Sequence, residues 1–398
     1  MVTGPLNGLR VLDFTRFVSG SYATMTLAAL GADVVKVETA EGDPYRTVGP
    51  HGPEDETTLF RSLNTGKRSL VVDFRTAEGR EVLERLLATC DFLVENSRPG
   101  SLERYGLDYA SVHERFPRLI YGSVSGYGDV GPDAHKGGFD LVLQAESGLM
   151  SVTGDEACGP VKVGAPVLDV GAGLCCVVGM LAAHAQRADT GEGRQVRTSL
   201  FEFALASLST VAAEYLATGT VPGLLGTHSP TFAPYGRFRT RDGWLILAGA
   251  GSEDMWRRAC QVLGREELID DERFCDNATR VRFRDELSAE LESTLAGETT
   301  ATWLERLGAA GVPASEIRGV GDVLEGDQVA ALGVIQRYGL PGAGEYEVLG
   351  SPLRLDGGER AVPGPAPDLD ADTDALLAEL GFDRSAIEGL RARAVVGR

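Results

Sequence analysis

Positive charge is scarce in this chain: 38 lysines and arginines face 58 aspartates and glutamates, a formal net charge of −20 over 398 residues. That balance argues against nucleic acid or an anionic membrane as the main partner, and an anionic small molecule would need a local basic pocket. Cysteine is sparse as well, and Cys90, Cys158, Cys175, Cys176, Cys260 and Cys275 fall in no metal-ligand or disulfide-framework spacing. We read them as reduced structural thiols of a cytoplasmic protein, with Cys175 and Cys176 buried together in an apolar helix. The opening Met-Val-Thr-Gly-Pro-Leu lacks the charged and apolar regions of a secretory leader. No stretch approaches about 18 uninterrupted apolar residues, so no membrane span is expected. A G-x-G-x-x-G fingerprint is missing too: the turn Thr15–Gly20 has none, and Gly171-Ala-Gly173 and Gly249-Ala-Gly251 each lack the third glycine. No residue cluster calls for a metal, flavin or nicotinamide, so no tightly bound cofactor is expected.

What the chain does have is alternating strand and helix. Leu9–Phe14 reads as a buried strand, 20–30 as a helix stopped by Gly31, and Asp33–Glu38 as a second strand. That order predicts a parallel sheet with right-handed crossovers. Ser69–Phe74, Asp91–Glu95 and Leu119–Val124 read as further strands, with a helix near 77–88. Glu38 ends the second strand where a ribose-binding acid would sit, although the missing fingerprint weakens that reading. Open α/β sheets bind ligands beyond the carboxyl ends of their strands, which directs attention to the turns at Arg75, Asn96–Gly100 and Ser125–Gly128. Lys67, Arg68, Arg75, Arg98, Arg104 and Lys136 are candidates for local positive charge, although any one of them alone reads first as a solvated surface cation.

Composition shifts after about residue 200. A helical segment from Phe201 to Leu216 leads into a Gly/Pro/Thr-rich connector, Gly219 to Pro234. Tyr235–Ala248 reads as a hairpin turning at Asp242-Gly243, followed by helices with Trp256 and Trp303 on apolar faces. We divide the chain into 1–200, a helical linker at 201–234, a small α+β domain at 235–325 and a return segment at 326–398. The return segment holds a strand-like piece at Tyr346–Leu349, a Pro-rich arm at Val362–Pro367 and a final helix pair.

One stretch organises the rest. In Ala165-Pro-Val-Leu-Asp169-Val-Gly171-Ala-Gly173 a short apolar run ends in a single carboxylate, and a Gly-Ala-Gly turn and an apolar helix follow. Such a turn leaves a helix's first N–H groups free for an anion or a developing oxyanion. Asp169 is then placed to act as nucleophile or base; it reads equally as a cap of the following helix.

Several motifs follow one another over nearly the whole chain. They are Pro5-Leu-x-Gly-x-Arg-Val-Leu-Asp13, Leu30-Gly-Ala-Asp-Val-Val-Lys-Val-Glu38 with Gly42-Asp43, Asn64-x-Gly-Lys-Arg-Ser69, Glu95-Asn-x-Arg-Pro-Gly100, Ser123-x-Ser-Gly-Tyr-Gly128, the Asp169 segment, Thr190-Gly-x-Gly193 and Gly311-Val-Pro313. In that order they resemble the class III CoA-transferases, the formyl-CoA transferase family, which also contains carnitine CoA-transferase and the 2-methylacyl-CoA racemases. The resemblance implies an α/β fold: a large Rossmann-like parallel-sheet domain built from both chain ends around a smaller inserted α+β domain, in an interlocked, ring-like homodimer. It implies transfer of CoA from an acyl-CoA donor to a carboxylic acid acceptor. Asp169 would attack the donor thioester to give an aspartyl anhydride, and the returning thiolate would give an aspartyl-CoA thioester.

Carried over position by position, the resemblance puts CoA contacts at Val18, Ser19, Val72, Asp73, Phe74, Arg75, Asn96, Ser97, Arg98, Arg104, Lys136, Gly137, Gly138 and Phe139. Asp140 matches an acidic position beside the site. Ala248, Gly249, Ala250 and Gly251 match a glycine-rich loop that can cover the intermediate. We expect Gly171-Ala-Gly173 and the helix start to supply oxyanion donors. Arg16 stands where formyl-CoA transferase has His, and Thr39 where it has Arg, so oxalate and formate are not carried over as substrates. The family's range points to small dicarboxylic or branched acids. Family racemases place His before the acidic residue; here Gly137-Gly138-Phe139-Asp140 has Phe there, which removes one of two bases, and His135 lies four residues early. A racemase or other acyl-CoA isomerase, a thioesterase and a non-catalytic CoA-binding protein are the alternatives.

Overall fold

The computed structural model describes residues 4–51, 57–221, 223–249, 251–340, 344–355 and 363–397. The chain begins β1 (Arg10–Phe14), α1 (Ser19–Ala29), β2 (Asp33–Glu38), α2 (Thr58–Leu63), β3 (Lys67–Val71) and α3 (Ala77–Leu87). It continues with β4 (Phe92–Glu95), α4 (Tyr109–Arg115), β5 (Ile120–Ser125) and α5 (Asp140–Glu146). A short hairpin of β6 (Gly154–Asp155) and β7 (Gly159–Pro160) precedes α6 (Val167–Thr190), β8 (Gln195–Ser199) and α7 (Leu200–Thr218).

Six strands form one parallel sheet in the order β3-β2-β1-β4-β5-β8, with Val11 opposite Val34 on one side and Phe92 on the other. Helices cover both faces of a parallel sheet, so most inward positions are Val, Leu, Ile and Phe, with the charged residues Asp13, Lys36 and Lys67 buried among them. Leu12, Val35 and Leu93 join α3, α4 and the C-terminal helices 373–379 and 384–392 in one core through Val82, Leu86, Leu376 and Leu390. α1 and α6 pack together through small residues: a Cβ added at Gly173 would stand 2.4 Å from the Ser19 carbonyl oxygen. The C-terminal stretch seals the β3 edge. Ser69 N–H donates to Asp372 Oδ2 at 2.9 Å, Val71 N–H to Thr373 Oγ1 at 3.0 Å and Gly397 N–H to the Val71 carbonyl at 3.1 Å. Backbone groups that would otherwise invite another strand are thereby satisfied. Between β1 and β4 the strand order reverses, so the connections leave in opposite directions and a crevice opens at their carboxyl ends.

The chain divides into two units, one of Met1–Ser147, Gly164–Ser209 and Asp327–Arg398, the other of Gly148–Val163 and Thr210–Gly326. In the smaller unit β9 (Tyr235–Arg239) and β10 (Trp244–Ala248) pair across the Asp242-Gly243 turn, and β11 (Ala314–Glu316) adds a third antiparallel strand. Trp256 and Trp303 are buried in its core. The boundaries differ from the expected ones in two places. Residues 148–163 group with the smaller unit rather than with 1–200, because Gly226 N–H donates to the Gly154 carbonyl at 2.7 Å. The stretch 201–234 is not a separate linker: α7 is broken at Ser209 (φ 36°, ψ −102°), and the division falls there. Residue 362 of the Pro-rich arm lies outside the described residues. Cys175 is exposed rather than buried beside Cys176, because adjacent helix positions face different directions. By length and composition α6 and α7 could each cross a bilayer. α6 is nevertheless a core helix packed on α1 and β5, whereas α7 buries only Leu200 and Ala204.

Candidate active site

A cavity of about 750 Å³ lies in the larger unit at the carboxyl ends of the strands. The turn after β1 supplies Thr15–Ser19, the segment after β2 supplies Thr39 and Tyr45, and the turn after β3 supplies Phe74 and Arg75. Asn96–Arg98 follow β4, Lys136–Phe139 lead into α5, and Asp169 stands at the head of α6.

The turn between β1 and α1 is held from several sides. Phe17 adopts φ 59°, a left-handed conformation that a bulky residue enters only when its surroundings enforce it. Asn96 does much of the enforcing: its Oδ1 accepts the Arg16 N–H at 2.8 Å and its Nδ2 donates to the Arg16 carbonyl at 2.6 Å. From below, Lys36 Nζ donates to the Thr15 carbonyl at 2.8 Å and pairs with Asp43 at 2.9 Å. Asp13 accepts from the Thr15 hydroxyl at 2.6 Å and pairs with Lys67 at 2.9 Å, all fully out of water. Burial alone would raise the Asp13 carboxyl, yet Lys67, Lys36 and Thr15 together hold it below its ordinary value.

Asp169 has the opposite surroundings. It sits in the first turn of α6, and Gly171-Ala-Gly173 is helix rather than the expected turn. Those glycines serve packing: a Cβ at Gly171 would meet the Phe203 ring at 2.0 Å, and Gly173 faces α1. Their N–H groups belong to the i→i−4 ladder, so they are not the oxyanion donors the sequence led us to expect. Nor is the helix start free. Val167 N–H donates to the Ala165 carbonyl at 2.9 Å, and Asp140 Oδ2 accepts from Leu168 N–H at 2.8 Å and Asp169 N–H at 3.4 Å. Asp140, not Asp169, is the carboxylate that caps this helix; Gln144 Nε2 steadies its other oxygen at 2.5 Å. The Asp169 carboxylate has no hydrogen-bond or ion-pair partner among the described residues. Burial, and then the charge of Asp140, push its pKa up from 3.8 to about 7.

Of the expected CoA contacts, Val18, Ser19, Phe74, Arg75, Asn96, Ser97, Arg98, Arg104, Lys136, Gly137, Gly138 and Phe139 line the cavity. Val72 and Asp73 do not. Val72 is fully buried where it bridges Val396, and the Asp73 carboxylate faces Arg75 at 2.7 Å. Lys67 and Arg68 are also withdrawn, Lys67 onto Asp13 and Arg68 onto Asp33 at 2.7 Å. Glu38 accepts from Arg46 at 2.8 Å and Ser69 at 2.9 Å, which removes it as a ribose ligand. By contrast Arg16, Arg98 and Arg104 have no carboxylate partner among the described residues and all line the cavity. Arg104 lies 4.7 Å above the Tyr105 ring, and Tyr105, Phe74 and Phe14 form an edge-to-face series at 5.1 and 5.4 Å. A second series joins Tyr45, Phe17 and Phe139, at 5.4 and 6.1 Å. Phe17, Tyr45 and Tyr105 were not singled out from the sequence; an aromatic residue in a loop carries no local mark of which cavity it faces. In the smaller unit Ala248 ends β10 and Gly249 and Gly251 follow it, while Ala250 lies outside the described residues.

Residues 6–373 match CoA-transferase family III. The chain is 37% identical over 394 residues to the succinyl-CoA:glutarate CoA-transferase of Mus musculus, an alignment covering 98% of this chain and 90% of that protein. It is 35% identical to the succinate–glutarate CoA-transferase of Agrobacterium fabrum, over 94% of this chain and 96% of that one. Among solved structures, a CaiB/BaiF family protein from Brucella suis superposes with a TM-score of 0.82 at 37% identity, covering 95% of this chain and 99% of that chain. A Mycobacterium tuberculosis protein superposes with a TM-score of 0.85 at 29% identity, covering 94% and 100%.

Proposed function

The chain belongs to CoA-transferase family III, and from that premise we propose that it moves CoA from an acyl-CoA donor to a carboxylic acid by way of an acyl group carried on Asp169. The observation that carries this reading is the Asp169 carboxylate itself: desolvated, without a partner among the described residues, and lining a cavity with Arg16, Arg98 and Arg104, which have no carboxylate partner among those residues. A carboxylate is a weak nucleophile in water, and removing its hydration and withholding cations raises its reactivity toward a thioester. Its oxygen bonds to the thioester carbon, the C–S pair leaves as CoA thiolate, and an aspartyl anhydride remains. The thiolate then attacks the Asp169 carbonyl and releases the donor acid. The acceptor carboxylate attacks the resulting aspartyl-CoA thioester, and a final thiolate return yields the new acyl-CoA and restores Asp169.

CoA enters this scheme as substrate. Arg16, Arg98 and Arg104 are the cations available to its phosphates, and Phe74 with Tyr105 offers aromatic faces for its adenine. Succinyl-CoA, glutarate and mesaconate stand in the names of relatives, which favours short dicarboxylic acids as donor and acceptor. The apolar residues that α7 leaves unburied favour the interlocked homodimer, with a second copy covering them. Six free cysteines fit a cytoplasmic setting. The direct test is peptide mass spectrometry around Asp169 after incubation with succinyl-, acetyl-, formyl- and a branched acyl-CoA and quenching with hydroxylamine. A donor-dependent adduct at Asp169 that disappears in Asp169→Ala is expected. An unmodified Asp169, with α-proton exchange into a 2-methylacyl-CoA in heavy water, would replace this reading with a racemase.

A further inference from the structure

We propose that the Tyr45 hydroxyl donates the hydrogen bond that stabilises the oxyanion formed when Asp169 attacks a thioester carbonyl, an assignment that rests on the transferase reading above. Acyl transfer through a carboxylate needs a preorganised donor aimed at the carbonyl oxygen. The backbone at the head of α6 offers none: the Val167, Leu168 and Asp169 N–H groups are taken by Ala165 and Asp140, and those after them are in the helix ladder.

Tyr45 lines the same cavity as Asp169 and is rigidly presented. Its N–H donates to Asp43 Oδ1 at 2.9 Å, its carbonyl accepts from the Thr57 hydroxyl, and its ring stands edge-on to Phe17 at 5.4 Å. The phenolic hydroxyl has no hydrogen-bond partner among the described residues. A chain of contacts ties it to the head of α6: Phe17 also meets Phe139 at 6.1 Å, and the next residue, Asp140, accepts from Leu168 and Asp169 N–H. Burial and then the Asp169 charge raise the phenol's pKa further above neutrality, so Tyr45 stays protonated and remains a donor over the whole working range. In the step itself the Asp169 oxygen forms the new C–O bond and the carbonyl π pair moves onto oxygen. Tyr45 O–H hydrogen-bonds that oxygen without giving up its proton. Collapse then restores the C=O bond and expels the thiolate with the C–S pair.

The test is the single-turnover rate of Asp169 acylation in the full-length protein, followed by quenched mass spectrometry with the acyl-CoA panel, for wild type and Tyr45→Phe. The phenylalanine ring keeps the packing on Phe17. A loss of about 10²–10³-fold in the acylation rate, the effect of one oxyanion donor, is expected, with affinity for CoA and melting temperature unchanged. A fluorinated tyrosine at position 45 has a more acidic phenol, so it adds a falling limb at alkaline pH where the wild-type rate is flat. Acylation by Tyr45→Phe at the wild-type rate overturns the assignment while leaving the transferase reading intact. A loss matched by weaker CoA binding, or a fluorinated variant with the wild-type pH profile, overturns it as well. A wild-type protein that forms no adduct with any donor removes the transferase reading and Tyr45's role with it.

Discussion

Asp13 and Asp169 are two carboxylates of one unit whose neighbours shift them in opposite directions. Asp13 is wholly buried but touches Lys67, Thr15 and Thr24, and it stays ionised. Asp169 is less deeply placed, has no cation partner among the described residues, and faces the like charge of Asp140, and its pKa climbs to about 7. Depth of burial is therefore not what separates a structural acid from a reactive one here; the supply of cations and donors is. The Asp13 group holds the turn that shapes the cavity, and Asp169 is the group left unsatisfied within it. Perturbed acids in clefts are where chemistry is expected.

The strongest way to break this comparison is to remove each acid in turn. Asp169→Asn should abolish CoA transfer, a loss of at least about 10³-fold on the scale of lost covalent catalysis, while the protein folds and binds CoA; assays with purified protein and calorimetry decide it. Asp13→Asn should instead destabilise the fold by about 3–5 kcal/mol, because it leaves Lys67 buried without its partner; urea unfolding measures it. Equal stability of the two variants would erase the distinction.

Changing pH sharpens it. The folded protein holds a proton on Asp169 more tightly than the unfolded chain, whose carboxyl titrates near 3.8. Asp169 therefore favours the folded state at low pH, and that contribution is lost as pH rises from about 4 through about 7. Asp13 is the reverse: its contribution is present above the ordinary carboxylate value and is lost as pH falls below it. Asp169→Asn should accordingly melt higher than wild type at pH 8 and show a shrinking difference toward pH 5. Acylation by wild type should rise through pH 7 as the nucleophile ionises. Asp140→Asn removes the neighbouring charge and should move that inflection to lower pH. An inflection that stays put would show that desolvation alone sets it. The smallest effect is expected at Arg104→Ala, about tenfold in CoA affinity for one phosphate contact, read by calorimetry and diminishing with added salt.

Much of the larger unit was legible in the chain. Its central strands carry apolar stretches such as Val34-Val35 and Phe92-Leu93-Val94, and β2 falls at Asp33–Glu38 as read. Of the carboxyl-end turns, Arg75, Asn96–Pro99 and Ser125–Gly126 do line the cavity, because β-α-β alternation puts the turns that follow parallel strands along one edge of the sheet. Errors arose where a local pattern had a long-range cause. Gly171 and Gly173 resemble a turn, but they are glycine because Phe203 and α1 approach too closely for a Cβ. Asp169 resembles an N-cap, but Asp140, 29 residues earlier, fills that place. Lys67 and Arg68 resemble ligands, but they belong to Asp13 and Asp33.

The sequence by itself determined the α/β alternation, the identity of the lone carboxylate at the head of an apolar helix and the order of motifs that marks the family, because these depend on neighbours along the chain. Only the tertiary structure decided which acids are paired and which arginines remain free, that the α6 head has no N–H to offer, and that Tyr45 stands in the same cavity as Asp169. Those outcomes depend on hydrogen bonds and desolvation between residues far apart in the chain, and neither quantity exists until the sheet has brought its turns together.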